Sequence, residues 1–201
     1  MRTRIGNVGV NAMHDASAPS SWVARFAPLV APGARVLDLA AGRGRHARFF
    51  ASRGARVLAV DRDAQALASL DGVAGVETRV ADLEGPVWPL GEASFDAIVV
   101  VHYLHRPSFE PLVAALARDG VLLYDTFAAG NERYGRPSNP AFLLEPSELL
   151  ARVGEQLTLV AFEQGLEEDA TGRRVVQRVA AVGPGRAWPP TLPTARVNAT
   201  A

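Results

Sequence analysis

Short apolar runs alternate along most of the chain with segments whose apolar residues recur at helical spacing. Apolar runs bounded by polar or turn residues predict buried strands at residues 35–39, 57–61, 76–80, 95–101 and 121–126. The helical spacing predicts helices at residues 15–30, 45–53, 63–70, 108–117 and 146–153. Strands that alternate with helices predict an α/β fold, with a mostly parallel sheet and helices on both of its faces.

The last third of the chain departs from this alternation. Residues 157–164 and 175–182 are strand-like and are separated by a charged, glycine-containing turn, so they predict an antiparallel hairpin. Together with the five earlier strands they complete a Rossmann-like, seven-stranded sheet. Residues 127–145 form a loop longer than compact domains usually carry.

The same pattern predicts one domain. We assign residues 1–182 to it, with residues 1–30 as an N-terminal helix and lid segment. Residues 183–201 are rich in proline and predict a disordered tail.

Composition excludes several functional classes. The 201 residues carry zero formal charge, which argues against a surface that attracts nucleic acid. Cysteine is absent, which excludes disulfides and thiolate metal sites, and we expect no metal. No apolar run approaches the ~18 residues of a membrane span, and the N-terminus has no signal-peptide core. We therefore expect a cytoplasmic protein without a membrane partner, whose oligomeric state the sequence does not indicate.

The stretch with the clearest chemical meaning is residues 36–46 (VLDLAAGRGRH), where an apolar strand runs through an acid into a loop of small residues. Gly42 and Gly44 lack the Cβ atoms that would keep a ligand away from the backbone. The loop leads to a predicted helix N-terminus, whose free N–H groups can bind a ligand. A tight turn without a ligand remains the alternative.

Acidic residues at the ends of three predicted strands strengthen the ligand interpretation. Asp61 lies 23 residues after Asp38, near the ~20-residue offset at which an acid binds a ribose, although it also suits a helix cap. Asp38 precedes the glycines, where a carboxylate can orient the loop or bind an ammonium group, and would repel a pyrophosphate. Asp82 and Leu83 suit an adenine, with a turn as the alternative.

A competing motif occupies the same loop. Gly42, Gly44 and Ala47 satisfy the dinucleotide fingerprint G-x-G-x-x-G/A, which together with Asp61 would serve an NAD(P)-dependent oxidoreductase. The positions of Asp38 and Asp82 and the terminal hairpin favour a zwitterionic, cationic ligand instead.

Over residues 20–182 the sequence resembles the class I S-adenosylmethionine-dependent methyltransferases, and its GRGRH run is most similar to their small tellurite-resistance and thiopurine-type branch. Residues 36–44 resemble the family's glycine-rich motif, residues 60–63 its ribose-binding acid motif, residues 81–83 its adenine turn, and residues 95–99 and 120–124 its fourth and fifth strands. One departure is Ala40, where the family has the first glycine of its loop. The resemblance implies S-adenosylmethionine as the cofactor, bound by Asp38, Ala40, Gly42, Gly44, Asp61, Arg62, Asp82, Leu83 and Val101.

The resemblance also implies where the methyl acceptor binds. His102, Tyr103 and Arg106 follow the fourth strand and are the candidate catalytic residues, since an imidazole can take a proton and a guanidinium can bind an anion. Purely structural roles are the alternative for each. No Asn/Asp-Pro-Pro-Tyr/Phe motif follows this strand, and no recognition domain is attached, so we expect in-line methyl transfer to a small molecule. A cofactor-binding regulatory subunit without catalysis remains a further alternative.

Overall fold

The computed structural model describes residues 18–169 and 172–192. Its centre is one seven-stranded sheet with the strand order β3-β2-β1-β4-β5-β7-β6. The strands are β1 Arg35–Leu39, β2 Arg56–Asp61, β3 Val76–Val80, β4 Phe95–Val101, β5 Leu116–Phe127, β6 Thr158–Asp169 and β7 Gly172–Val182. Strands β1 to β5 are parallel, and β7 is antiparallel to both β5 and β6. The Rossmann-like sheet and its terminal hairpin are confirmed.

Helices cover both faces of this sheet. They are α1 Ser21–Phe26, α2 Arg45–Ser52, α3 Ala64–Leu67, α4 Phe109–Ala114 and α5 Glu148–Gly154. Helices α1 to α3 pack with Val36, Val99 and Leu123 in one apolar cluster, whereas α4 and α5 pack with Leu37 and Tyr124 in the other. Both faces of β4 are buried, which explains its nearly continuous apolar sequence.

The predicted strands match the structure more closely than the predicted helices do. β1, β3 and β4 have the predicted bounds, and β2 begins one residue earlier. The predicted helix 108–117 was too long: α4 ends at Ala114, and Leu116 already pairs with Phe95 of β4. Apolar residues at this junction suit either periodicity, and pairing with β4 decides between them.

Helix α1 is shorter than its predicted range. The Ser20 hydroxyl accepts a hydrogen bond from the Val23 N–H at 3.1 Å and caps the helix, which begins at Ser21. A 3-10 turn, Ala27–Leu29, continues the helix. The first seventeen residues of the predicted lid segment lie outside the described residues.

The terminal hairpin is longer than predicted, because the charged segment assigned to its turn belongs to the strands. Glu167 lies opposite Arg174, and Glu168 lies opposite Arg173. Opposite charges in facing positions stabilise a ladder of two strands. The charged residues that the sequence assigned to the turn therefore pair with each other as part of the two strands.

The chain remains attached to the domain just beyond β7. The Gly183 N–H donates to the Gly120 carbonyl at 2.9 Å, and the Arg186 guanidinium donates to the Leu29 carbonyl at 2.8 Å. Residues 193–201 lie outside the described residues, so the division into domain and tail stays a prediction. None of the helices in the described ranges is long and apolar enough to cross a membrane.

Candidate functional site

The loop between β1 and α2 takes a left-handed backbone at three positions. The φ angles are 54° at Ala40, 54° at Gly42 and 73° at Gly44. A Cβ on Gly44 would lie 2.4 Å from Cδ1 of the buried Leu70, so this position requires glycine for both its angle and its packing. Ala40 adopts the conformation with a side chain, at a cost of about 1–2 kcal/mol. Alanine in place of the family's first loop glycine therefore keeps the left-handed loop but lowers the stability of the fold.

Two carboxylates hold this loop in place. Oδ2 of Asp61 accepts a hydrogen bond from the Gly42 N–H at 2.7 Å, and Oδ1 accepts one from the Asp63 N–H at 2.9 Å. Oδ2 of Asp38 accepts one from the Ala47 N–H at 2.8 Å, in the first turn of α2. Asp38 thus positions the helix start from within the core.

Burial shifts the protonation of Asp38 and of its neighbour His46. Burial raises the pKa of Asp38 to about 7, although the hydrogen bond from the Ala47 N–H and the charge of Arg45 both act to lower it. Burial lowers the pKa of His46 to about 3, and its Nε2 accepts a hydrogen bond from the Ser20 N–H at 3.2 Å. Neutral His46 therefore connects the α2 helix to the segment before α1.

A cavity of about 250 Å³ opens beside this loop, at the carboxyl ends of β2, β3 and β4. Ligands of open α/β sheets bind at such ends. The lining residues are Ala40, Asp61, Arg62, Ala81, Asp82, Leu83, Glu84, His102 and Tyr103. Acidic groups therefore surround a cavity whose size lies near the lower end of small-molecule sites, roughly 300–1,000 Å³.

The structure separates the predicted site residues into two groups. Those in the cavity are Ala40, Asp61, Arg62, Asp82, Leu83, His102 and Tyr103. Those outside its lining are Asp38, Gly42, Gly44, Val101 and Arg106. Asp38 and the two glycines shape the loop, whereas Val101 is packed in the apolar cluster below α1 and α2. Ala81, which lies within the predicted adenine turn, and Glu84, which follows it, also line the cavity but were not predicted as site residues.

Tyr103, a predicted catalytic residue, lines the cavity. Its hydroxyl is buried and has no hydrogen-bond partner among the described residues. Burial raises the pKa of Tyr103 to about 12, so the hydroxyl keeps its proton near neutral pH. A buried polar group without a partner is costly. Its position therefore suits a hydroxyl that donates to a ligand in the cavity.

His102 lies where the cavity meets the end of β5. Its backbone is left-handed, with φ 58°, and its N–H donates to the Asp125 carbonyl at 2.9 Å. The imidazole stacks on Phe127 with ring centroids 4.7 Å apart. The surrounding protein lowers the pKa of His102, as do three neighbouring arginines, while Asp125 raises it. The imidazole is therefore neutral at neutral pH, with a ring nitrogen available as a hydrogen-bond acceptor.

Arg106 holds the protein's own loop instead of presenting its charge to the cavity. Its guanidinium donates to both carboxylate oxygens of Glu148 at 2.8 Å, and to the Ala141 and Leu143 carbonyls at 2.9 Å. Burial alone would raise the pKa of Glu148, but the hydrogen bonds it accepts hold that pKa at about 2. These contacts fix the segment before α5, and the predicted anion-binding role of Arg106 stays a prediction.

A chain of ion pairs crosses the sheet face below α1. Nε of the buried Arg178 lies 2.9 Å from Oδ1 of Asp125, and its Nη2 lies 2.5 Å from Oε2 of Glu167. Arg174 pairs with the same Glu167 oxygen at 2.7 Å. The sequence alone does not reveal this network, because only the register of the hairpin brings Arg178 opposite Asp125 of β5. Within the described part of the chain, no group of acids and histidines is arranged to hold a metal ion.

Comparison with known proteins agrees with this geometry. Residues 36–119 match the family model described as a methyltransferase domain, a range that contains the glycine loop and every residue lining the cavity. No curated protein sequence matches the chain.

Solved structures with the same fold are numerous. TehB from Haemophilus influenzae is 18% identical with a TM-score of 0.66, and the match covers 80% of this chain but 61% of TehB. A TehB-like S-adenosylmethionine-dependent methyltransferase from Corynebacterium glutamicum is 19% identical with a TM-score of 0.58, over 80% and 86% of the two chains. The 1,6-didemethyltoxoflavin-N1-methyltransferase of Burkholderia thailandensis, solved with its substrate and S-adenosylhomocysteine, is 22% identical with a TM-score of 0.61, over 84% and 78%.

The opposite pKa shifts of Asp38 and His46 predict opposite effects of pH on stability. The pKa of Asp38 rises from 3.8 to about 7 on folding, so its contribution to stability falls as the pH increases through that window. The pKa of His46 falls from 6.5 to about 3, so its contribution falls as the pH decreases from 6.5. Between about pH 4 and 6.5 the two slopes oppose each other. We expect Asp38→Asn to make the free energy of unfolding rise more steeply with pH than in the wild type.

Urea denaturation at several pH values measures this, and His46→Gln is the matched variant, with the opposite change of slope. If Asp38→Asn shifted the free energy of unfolding by the same amount at every pH, the carboxyl group would not titrate in this window.

Proposed function

We propose that this class I S-adenosylmethionine-dependent methyltransferase transfers the methyl group to a small-molecule acceptor that lies beside His102. The observation that carries the proposal is the cavity at the strand ends, where Asp61, Asp82 and the unpartnered Tyr103 hydroxyl meet. Each of these groups can bind one polar part of a nucleoside. The acceptor would approach from the β5 side, where the stacked rings of His102 and Phe127 lie.

The residues of the cavity fit the cofactor. Each Asp61 oxygen accepts one backbone hydrogen bond and keeps a second lone pair, so the carboxylate has acceptor capacity left for ribose hydroxyls. Oδ1 of Asp82 accepts a hydrogen bond from the Glu84 N–H, so the other carboxylate oxygen can accept one from an adenine amine. Leu83 supplies an apolar surface for the adenine ring. The Tyr103 hydroxyl completes the site as a donor.

Asp38, the remaining acid of the loop, has a positioning role. It orients α2 through the Ala47 N–H, and a cationic ligand nearby would favour its charged form. We keep Gly42, Gly44 and Ala40 as backbone contacts of the cofactor, since the glycines leave room for close approach. Arg62 lines the cavity at its exposed rim, and Val101 supports the floor of the site from the core.

The chemistry needs little from the protein beyond alignment and proton transfer. Bound S-adenosylmethionine supplies a methyl group already activated on a sulfonium sulfur, which keeps the bonding electrons and becomes a thioether. The acceptor's N–H or O–H loses a proton as the new bond to the methyl carbon forms. Neutral His102 takes this proton, because its lowered pKa leaves it unprotonated. The sheet and the loops hold the reactants in line and exclude water.

A small acceptor agrees with the size and charge of the chain. The net charge is zero, so nucleic acid is not favoured as the acceptor. A cytoplasmic location is a separate part of the proposal. The Burkholderia enzyme named above acts on 1,6-didemethyltoxoflavin, a small molecule. The dinucleotide fingerprint noted in the loop lies within the matched methyltransferase model, so an oxidoreductase is not favoured. A regulatory subunit that only binds the cofactor is distinguished by the assays below.

Replacement of Asp61 should weaken cofactor binding. Asp61→Asn removes the charged acceptor for the ribose, and hydrogen bonds to charged groups contribute about 1.5–3 kcal/mol, or roughly 10- to 100-fold in affinity. We expect this loss in the dissociation constant for S-adenosylhomocysteine measured by calorimetry. The matched control is Asp63→Asn, because Asp63 caps α3 outside the cavity and asparagine caps equally well. Equal affinity in wild type and Asp61→Asn would remove Asp61 from the cofactor site.

Replacement of His102 should slow methyl transfer and leave cofactor binding intact. Asparagine is the suitable replacement, since it tolerates the left-handed backbone at this position. We expect His102→Asn to lower turnover roughly 10²- to 10⁴-fold, the usual contribution of a general base. Transfer of labelled methyl from S-adenosylmethionine to a panel of small phenols and nitrogen heterocycles measures it.

The same panel tests the proposal as a whole. Unchanged turnover in His102→Asn would end the role of the imidazole. Cofactor binding without transfer to any acceptor would favour the regulatory alternative.

A further inference from the structure

Strand β3 forms one edge of the sheet, where a further strand can pair with it. Among residues 18–169 and 172–192 it pairs with β2 alone. None of its five residues is buried, and the apolar side chain of Val80 is 58% exposed. An edge strand presents backbone N–H and C=O groups that can bond to another strand.

Backbone hydrogen bonds at both ends of β3 show which of its residues point outward. The Gly75 carbonyl accepts a hydrogen bond from the Val57 N–H of β2 at 2.8 Å. The Ala81 N–H donates to the Asp61 carbonyl of β2 at 2.9 Å. Because backbone groups alternate in direction along a strand, the odd-numbered residues between these two also face β2. The outward groups therefore belong to the even-numbered residues, of which Thr78 is the central one.

The sequence of β3 is self-complementary about Thr78. It reads Val-Glu-Thr-Arg-Val, so Glu77 and Arg79 flank the central residue and a valine stands at each end. When two copies pair in antiparallel fashion about Thr78, each Glu77 faces the Arg79 of the other copy. In the same register each Val76 faces a Val80. Opposite charges and β-branched side chains in facing positions stabilise a pair of strands.

The two charges of β3 have no partner within the described part of the chain. Among residues 18–169 and 172–192, neither Glu77 nor Arg79 makes an ion pair or a side-chain hydrogen bond. At the opposite edge of the sheet, the acids of β6 already pair with arginines of β7 and α1. Charged residues usually protect an edge strand from pairing. On β3 they do not, because antiparallel pairing brings opposite charges together.

We propose that two copies of this chain form a symmetric dimer through β3, so that their sheets join into one. The Thr78 residues exchange backbone hydrogen bonds, and each Val80 N–H donates to the Val76 carbonyl of the other copy. The Val76 N–H takes no part, because it already donates to the Val73 carbonyl at 3.1 Å. The same strand serves both copies, as a two-fold interface requires.

The size of this interface sets its expected strength. A pair of five-residue strands lies at the small end of protein–protein interfaces. We therefore expect a reversible dimer with a dissociation constant on the order of 10 μM. The dimer does not depend on the proposed methyl transfer.

Sedimentation equilibrium of the full chain tests the dimer, at concentrations from about 1 to 200 μM, which bracket the expected dissociation constant. We expect the average mass of the wild type to rise from that of a monomer towards that of a dimer. Glu77→Arg and Arg79→Glu each place like charges in both facing pairs, and each should weaken the dimer roughly tenfold or more. Glu92→Arg is the matched control, because it makes the same change of charge at an exposed position outside β3.

A mixture of the two single variants tests the register itself. The two arginines of the Glu77→Arg chain would face the two glutamates of the Arg79→Glu chain, so an equimolar mixture should dimerise as the wild type does. The double variant with Glu77→Arg and Arg79→Glu should also recover the wild-type dissociation constant. Circular dichroism establishes that each variant is folded before it is compared.

Three results would overturn the inference. The first is a wild-type protein that stays monomeric at every concentration, which would leave β3 to another occupant or to solvent. The second is a dimer that neither single variant weakens. The third is a mixture of folded single variants, or a folded double variant, that fails to dimerise.

Discussion

The binding side of the molecule depends on two carboxylates that accept hydrogen bonds from the backbone of one loop. Asp38 fixes the first turn of α2, and Asp61 fixes the Gly42 N–H, so the loop is held from β1 and from β2 at once. These bonds keep a left-handed path that Gly44 adopts easily and Ala40 adopts at a cost. The two acids therefore fix the loop at the edge of the cavity, which Ala40 and Asp61 line.

The acceptor side is organised by charge pairing across the hairpin. The buried Arg178 depends on Asp125 and Glu167, and a buried charge deprived of its partner typically costs about 3–5 kcal/mol. The same pairing places the end of β5, with Asp125 and Phe127, against β7. The hairpin thus fixes the end of β5 next to His102, whose N–H donates to the Asp125 carbonyl and which also lines the cavity.

Much of the fold could be predicted from the sequence because its central strands are buried on both faces. Continuous apolar runs such as residues 95–101 admit one interpretation, and their bounds were correct. The junction at Leu116 and the charged hairpin could not be predicted, since long-range pairing decides both. Spacing alone could place Asp61 and Asp82 at the strand ends. It could not show that Arg106 contacts Glu148, 42 residues away, or that Arg178 faces Asp125.

The sequence predicts the residues proposed to bind the cofactor better than those proposed to bind the acceptor. Residues of the cofactor site follow one another along β1 to β4, so local motifs carry their positions. Residues near the end of β5 are set by pairing with β7, and only the folded chain brings them together. This difference explains why the motifs of β1 to β4 resemble those of methyltransferases, whereas the surroundings of His102 do not follow from local sequence.

The central claim is that the cavity at the strand ends binds S-adenosylmethionine. Calorimetric titration of the wild-type protein with S-adenosylhomocysteine, and separately with NAD, tests it most directly. We predict micromolar, one-to-one binding of S-adenosylhomocysteine and no heat of binding with NAD. Binding of NAD alone would contradict the account and assign the glycine loop to a dinucleotide.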